Sequence, residues 1–315
     1  MIEIIQADKV FFKEQLNNFK NLYELCFNLS TSIEAIEWRY LNNPMNDLFV
    51  CMAFEENKLV ANYSVSPTLL TYDGEDIPAV LSLNTMTHPD YIGKGLFVEL
   101  ATKVYNFAYE KGYKLVFGFP NKISNRTFIN RLNWHDIYEI PMLELNLENS
   151  TQIQPDKNII YDNMFENDYS NFQIKDNIFK IKKDKRYLKW RYYNNPDIDY
   201  FNIIDLNSDK TVDGYIIYKE YKDKINIVDY SFLTIDVADK LVQQIKYIAV
   251  KLNKKYISTW AKLENPFHLL LEKNAFSNAT PITYFGANFF NVSDKNFYGY
   301  NYSNWEIYLA DDNSF

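Results

Sequence analysis

Residues 79–97 read AVLSLNTMTHPDYIGKGLF, and the reading of this stretch decides the fold. Its first nine residues form an apolar run of the kind that makes a strand, and the helix-patterned LFVELATKVYNFAYEKG starts at Leu96. Between them Gly93 and Gly95 flank Lys94, in a chain with only 8 glycines among 315 residues. Two glycines so close mark either a corner that needs positive φ or a backbone that a ligand must approach. Along the helix, Phe97, Leu100, Ala101, Val104 and Ala108 share one face, and Gly112 is the expected stop. A strand that turns through glycines directly into a helix aims unpaired N–H groups and the positive dipole end outward, which suits a phosphate.

Around this stretch the chain repeats itself. WRYLNNP at 38–44 returns as WRYYNNP at 190–196, and Tyr63 and Tyr215 keep the same offset. Each copy continues with two strand-like runs (LFVCMAF and LVANYSV; YFNIIDL and VDGYIIY), then a third (AVLSLNTMT; INIVDYSFL) and an amphipathic helix. In the second helix Val237, Leu241, Ile245, Ile248 and Leu252 line one face, with Asn253 at the stop. A further strand (KLVFGF; KYISTWA) and a short helix ending in an aromatic close each copy. Two α/β units are expected, 1–150 and 155–315, joined near NSTQIQPDKN at 149–158. The second copy has TIDVAD where the first has its glycine turn. A corner demanded by the fold would appear in both, so the loop is assigned to a ligand of the first copy alone.

With 33 basic against 41 acidic residues, a net charge of -8, the chain lacks the basic excess that gripping a nucleic-acid backbone requires. Its densest basic run, KDNIFKIKKDKR at 175–186, is read as a solvated face. The first residues, MIEIIQADKVFFKEQL, carry no signal-peptide core, and no run of about 18 apolar residues occurs, so a cytoplasmic protein without a membrane span is expected. Cys26 and Cys51 have neither metal nor redox spacing and are expected in the core.

The order strand, THPDYxGKGL, long helix, strand, FGFPN (117–121) and a short helix ending FxxxLxW resembles the GNAT superfamily of acyl-CoA N-acyltransferases over residues 79–134. The WRYxNNP segment resembles the polysaccharide-cluster and Eis-like branch. The resemblance implies an α/β (α+β) fold of tandem GNAT-like domains, each a mixed, mostly antiparallel sheet flanked by helices, the second lacking the phosphate loop. It implies acetyl-CoA, or another acyl-CoA, as co-substrate, without a metal. Gly93, Lys94, Gly95 and Leu96 would hold its pyrophosphate, and the main chain of Thr85, Met86 and Thr87 would pair with its peptide-like arm. Asn121 and Ser124 would contact the arm further along; as residues they equally fit a turn and a helix N-cap.

The family's loop pattern, Arg/Gln-x-x-Gly-x-Gly/Ala, is departed from at Ile92 and Phe97. The position where many relatives carry a thiolate-protonating Tyr is Ile129. Ser82 and Asn84, alternating with Leu81 and Leu83 and so on one face with Met86, are the catalytic candidates, able to order a water that takes the amine proton. His88 reads as a turn residue, His135 and His268 as surface or filler, and Arg39 and Arg191, present in both copies, as structural. The function expected is acyl transfer to the primary amine of a small molecule, such as an amino sugar or its nucleotide-linked form, with the second copy shaping the acceptor site. Two alternatives stand beside it: a Fem-like aminoacyltransferase using aminoacyl-tRNA, opposed by the net charge and the retained loop, and a non-catalytic module binding CoA or a sugar.

Overall fold

A computed structural model describes residues 1–148, 154–172 and 176–312. Residues 149–153 of the expected junction and Lys175 of the basic run lie outside the described residues. The strands in chain order are β1 (Glu3–Ala7), β2 (Phe49–Glu55), β3 (Lys58–Tyr72), β4 (Glu75–Thr87), β5 (Leu115–Gly118), β6 (His135–Asn146), β7 (Ile159–Tyr161), β8 (Lys180–Ile181), β9 (Phe201–Leu206), β10 (Val212–Tyr221), β11 (Lys224–Phe232), β12 (Tyr256–Trp260) and β13 (Ser277–Phe289). The helices are α1 (Lys9–Glu14), α2 (Leu16–Phe27), α3 (Ile33–Tyr40), α4 (Leu96–Glu110), α5 (Lys122–Leu132), α6 (Lys185–Leu188), α7 (Ile235–Lys251) and α8 (Pro266–Lys273).

Two compact units result, and neither is continuous in sequence. The first comprises Met1–Tyr138, Asn195–Asp197 and Tyr284–Asn304; the second comprises Glu139–Asn194, Ile198–Thr283 and Trp305–Phe315. Their strand orders are the same: β1-β2-β3-β4-β5-β13 in the first and β7-β9-β10-β11-β12-β6 in the second. Neighbours run antiparallel except β4 with β5 and β11 with β12, which are parallel and joined by the long crossover helices α4 and α7. The sixth strand of each unit comes from the other half of the sequence, a non-local pairing that periodicity cannot reveal.

Both expected helices end where their stops were read. Gly112 at φ +90° follows α4, and Asn253 at φ 54° follows α7. In the first unit Leu100, Ala101, Val104 and Ala108 of α4 are fully buried against Tyr63, Val65 and Val80. Each such Leu or Val stabilises the unit by about 1.5–3 kcal/mol. The opposite face carries α1–α3 on a second cluster that includes Phe12, Phe19, Tyr40 and Met86. In the second unit α7 and α8 cover a single cluster built from β6 and β9–β12.

Candidate active site

In the first unit β4 and β5 pair at only three positions, Ala79 with Leu115, Val80 with Val116 and Leu81 with Phe117. Beyond them β4 runs on to Thr87, held only by β3. The edge of β4 from Ser82 to Thr87 that faces β5 therefore has no strand partner among the described residues, and Thr85, Met86 and Thr87 lie on it. Gly118 stands at the point of divergence. A Cβ there would lie 3.2 Å from Ser82 Cβ, 3.4 Å from the Ser82 carbonyl oxygen and 3.4 Å from the Trp134 ring, so the two strands approach too closely at this point to admit a side chain without a shift. An amide-bearing chain can enter such an edge as an added strand.

Above the fork sits the glycine loop. Gly93 (φ +84°) and Gly95 (φ +80°) both take conformations that L side chains rarely adopt, and an added Cβ at either meets nothing within 4 Å. Gly95 is the N-cap of α4 and supplies no side-chain cap, so the first N–H groups of the helix open outward with the dipole's positive end behind them. Leu96 is buried beneath the loop. Lys94 rests its ammonium 4.0 Å above the Tyr91 ring, and the Tyr91 hydroxyl donates to Glu55. That bond, helped by the N-terminal ammonium and Lys94, holds the half-buried Glu55 carboxyl below its usual range.

The two departures from the family loop are accommodated. Ile92 is exposed. Phe97 packs into the core side of the helix, stacking on Tyr63 at 5.9 Å and meeting Phe128 edge-on at 5.1 Å.

On the far side of the fork, Asn121 is the N-cap of α5, its Oδ1 accepting from the N–H groups of Ile123 (3.0 Å) and Ser124 (2.9 Å). Ser124 lies in the first turn and its hydroxyl reaches back to Asn121 Oδ1 at 3.2 Å. The capping role falls to Asn121 rather than Ser124, and the Asn121 amide NH2 makes no hydrogen bond within the described residues.

Ser82 and Asn84 do not share a face as strict alternation predicts. The β3–β4 register slips between Asn62 and Ser64, and Asn84 takes φ 38°, a bulge that resets the alternation. Asn84 Nδ2 donates to Tyr40 Oη (2.7 Å) on the α3 side, and Asn62 Nδ2 donates to the Asn84 carbonyl (3.1 Å). Burial pushes the Tyr40 hydroxyl up to about 12, so it stays protonated. Ser82 faces the α4 layer instead and joins a chain of hydroxyls: Ser82 Oγ to Tyr63 Oη 2.7 Å, Tyr63 Oη to Tyr105 Oη 2.7 Å, and Trp134 Nε1 to Tyr105 Oη 3.0 Å. Burial raises Tyr63 and Tyr105 far above the ordinary phenol range.

Other side chains singled out in the sequence serve structure. His88 caps the turn 89–91 through Nδ1 and lies 3.0 Å from Lys58 Nζ through Nε2. His135 stacks on Tyr300 at 3.7 Å, and His268 is buried with Nδ1 on the Ala261 carbonyl at 2.8 Å, so it is filler rather than surface. Arg191 is buried and donates to Tyr200 Oη and the Ala310 carbonyl; Arg39 lies over Trp38. Cys51 is buried, and half-buried Cys26 donates its thiol to the Thr87 carbonyl at 3.5 Å. No helix among the described residues is long and apolar enough to cross a membrane.

Strand register defines the equivalent site in the second unit, where β11 and β12 also pair at only three positions, 224–226 with 256–258. There Thr259 stands at the place of Gly118 and Ile227 at that of Ser82. Thr259 Oγ1 donates to the Ile227 carbonyl (3.0 Å), and Tyr230 Oη donates to the Trp260 carbonyl (3.1 Å), so side chains lace the fork shut. The N-cap of α7 is Thr234, whose hydroxyl accepts from Val237 N–H at 3.3 Å. Sequence reading singled out neither Gly118 nor the Trp134–Tyr105–Tyr63 chain; the first was visible as FGF against STW between the copies.

The family profile described as Acetyltransferase (GNAT) domain matches residues 11–136. Over these residues, less than half of the chain, the sequence is similar to GNAT acetyltransferase domains. No curated protein sequence matches the chain. Similar solved structures include a probable N-acyltransferase from Enterococcus faecalis V583 (14% identity, TM-score 0.67, 92% of this chain and 73% of that one). A GCN5-related N-acetyltransferase from Anabaena variabilis has 14% identity, TM-score 0.66 and the same coverage. The Saccharomyces cerevisiae N-myristoyltransferase with bound myristoyl-CoA has 12% identity and TM-score 0.61, over 91% of this chain and 78% of that one.

Proposed function

We propose that the first unit binds acetyl-CoA and transfers its acetyl group to the primary amine of a small acceptor, and that the second unit binds no coenzyme. The observation that carries this reading is the open fork beneath an uncapped helix in one unit, set against a laced fork and a capped helix in the other. The residues fit the donor substrate. Gly93–Leu96 offer N–H groups to a pyrophosphate, the free edge at Thr85–Thr87 offers main-chain partners to a peptide-like arm, and the Asn121 amide and the Ser124 hydroxyl stand across from it. An amino sugar or its nucleotide-linked form is the acceptor we favour, by resemblance to the polysaccharide-cluster branch, with the cytoplasm as the setting.

Acyl transfer places few demands on side chains. The amine's electron pair forms the C–N bond while the C–S bond breaks toward sulfur, and holding the two reactants together supplies an effective molarity on the order of 10⁵ M or more. What the protein must provide is position and polar groups where charge develops. Calorimetry with acetyl-CoA tests the proposal: the wild type binds, and Gly93→Glu and Gly95→Asp do not. No binding by the wild type overturns it. Binding without thiol release across a panel of amino sugars and amines would turn the reading toward a non-catalytic module.

A further inference from the structure

A chain of hydroxyls leads from Trp134 to the fork, and its donors and acceptors fix which proton is left over. The indole Nε1–H of Trp134 can only donate, so Tyr105 Oη is its acceptor at 3.0 Å. Tyr105 has one proton left to place, and its other polar neighbour is Tyr63 Oη at 2.7 Å. Tyr63 must then spend its own proton on Ser82 Oγ at 2.7 Å. The reverse polarity would leave the Tyr105 O–H buried without an acceptor, which disfavours it on the order of tenfold to a hundredfold. Trp134 therefore sets the direction of the whole chain, and the Ser82 proton is the one left over. Ser82 is also the first residue beyond the last β4–β5 pair, packed against the backbone of Gly118 where the two strands part.

We infer that Ser82 is the hydroxyl that hydrogen-bonds the leaving sulfur during acyl transfer, with its proton aimed outward by the Trp134–Tyr105–Tyr63 chain. The inference rests on the acyl-CoA reading above. Ser82 keeps its proton throughout: the amine attacks, the C–S electron pair goes to sulfur, and the products are the amide, the coenzyme thiolate and one proton released to water. The bond to Ser82 favours the thiolate over the thiol. Tyr63, Tyr105 and Trp134 are positioning residues.

The test is the ionisation of the free thiol of CoA bound to the protein, followed by thiolate ultraviolet absorbance against pH. A hydrogen bond to the charged form lowers its pKa, so Ser82→Ala raises the bound thiol's pKa by about one unit, a roughly tenfold change in ionisation. Ser82→Thr, which keeps the hydroxyl, restores most of the wild-type value. Tyr63→Phe keeps Ser82 but releases its orientation and gives a smaller rise in the same direction. Equal thiol pKa values in wild type and Ser82→Ala, with CoA binding intact by calorimetry, overturn the inference and leave the acyl-CoA reading standing. If Ser82→Ala does not fold, an unchanged thiol pKa in Tyr63→Phe overturns it equally. Failure of the wild type to bind CoA removes both.

Discussion

The same fork is built twice in this chain, and only one of the two is open. Both units use parallel strands that part after three pairs, and both run a long helix from the end of the diverging strand. In the first unit Gly118 and Gly95 stand at the fork and the helix end; in the second the same places hold Thr259 and Thr234, whose hydroxyls satisfy the local backbone. Buried carbonyls and helix N–H groups need partners. The second unit supplies them from its own side chains, and in the first Gly118 and Gly95 supply none.

The comparison breaks most sharply at Gly95. Gly95→Asp adds a Cβ at φ +80° and a carboxylate where phosphate belongs, so CoA affinity measured by calorimetry falls on the order of 1,000-fold.

The second unit also keeps charge inside, and that has its own signature. Asp311 is pushed from the usual 3.8 to about 7 by burial and by the charge of Asp229, against the pull of Lys183 and Arg191. The folded chain thus holds a proton that the unfolded chain releases. Stability falls as pH rises from about 4 to 7, and the loss is complete above that window. Asp311→Asn, which keeps an oxygen for the Tyr308 N–H, gains roughly 4 kcal/mol of unfolding free energy at pH 8 and little at pH 4 in denaturant titrations.

Exchanging the fork residues sharpens the contrast. Gly118→Thr crowds Ser82 and the Trp134 ring, so CoA binding weakens on the order of 10- to 100-fold and stability falls by about 1–3 kcal/mol. Thr259→Gly costs about 1–2 kcal/mol of stability and confers no CoA binding, because Thr234 still caps α7. If Thr259→Gly creates a second CoA site in calorimetry, the loop matters less than the fork. Lys94→Ala has the smallest effect, about two- to fivefold on affinity, since an exposed cation contributes little beside the backbone donors.

What the sequence revealed follows from how far each signal reaches. The strands, both long helices with their stops at Gly112 and Asn253, and the glycine loop are set by spacing within a few residues, and they stand where they were read. The Asn84 bulge breaks the period-two rule that had put Ser82 and Asn84 together, and nothing in LSLNTMT announces it. The hydroxyl chain joins positions 63, 82, 105 and 134, which meet only after a sheet, a crossover helix and a turn have formed. The departures at Ile92 and Phe97 are visible in the linear motif, but the motif says nothing of where Phe97 points.

The traded sixth strands have a consequence for how the protein is made. When the first copy has left the ribosome, β5 still has its outer edge bare, because the segment that covers it, 286–289, follows β12 and α8 in the chain. The nascent first unit must wait with an exposed strand until those elements have been made. A stop codon between the two copies, which would look harmless on a map of repeats, would release a sheet missing one of its six strands.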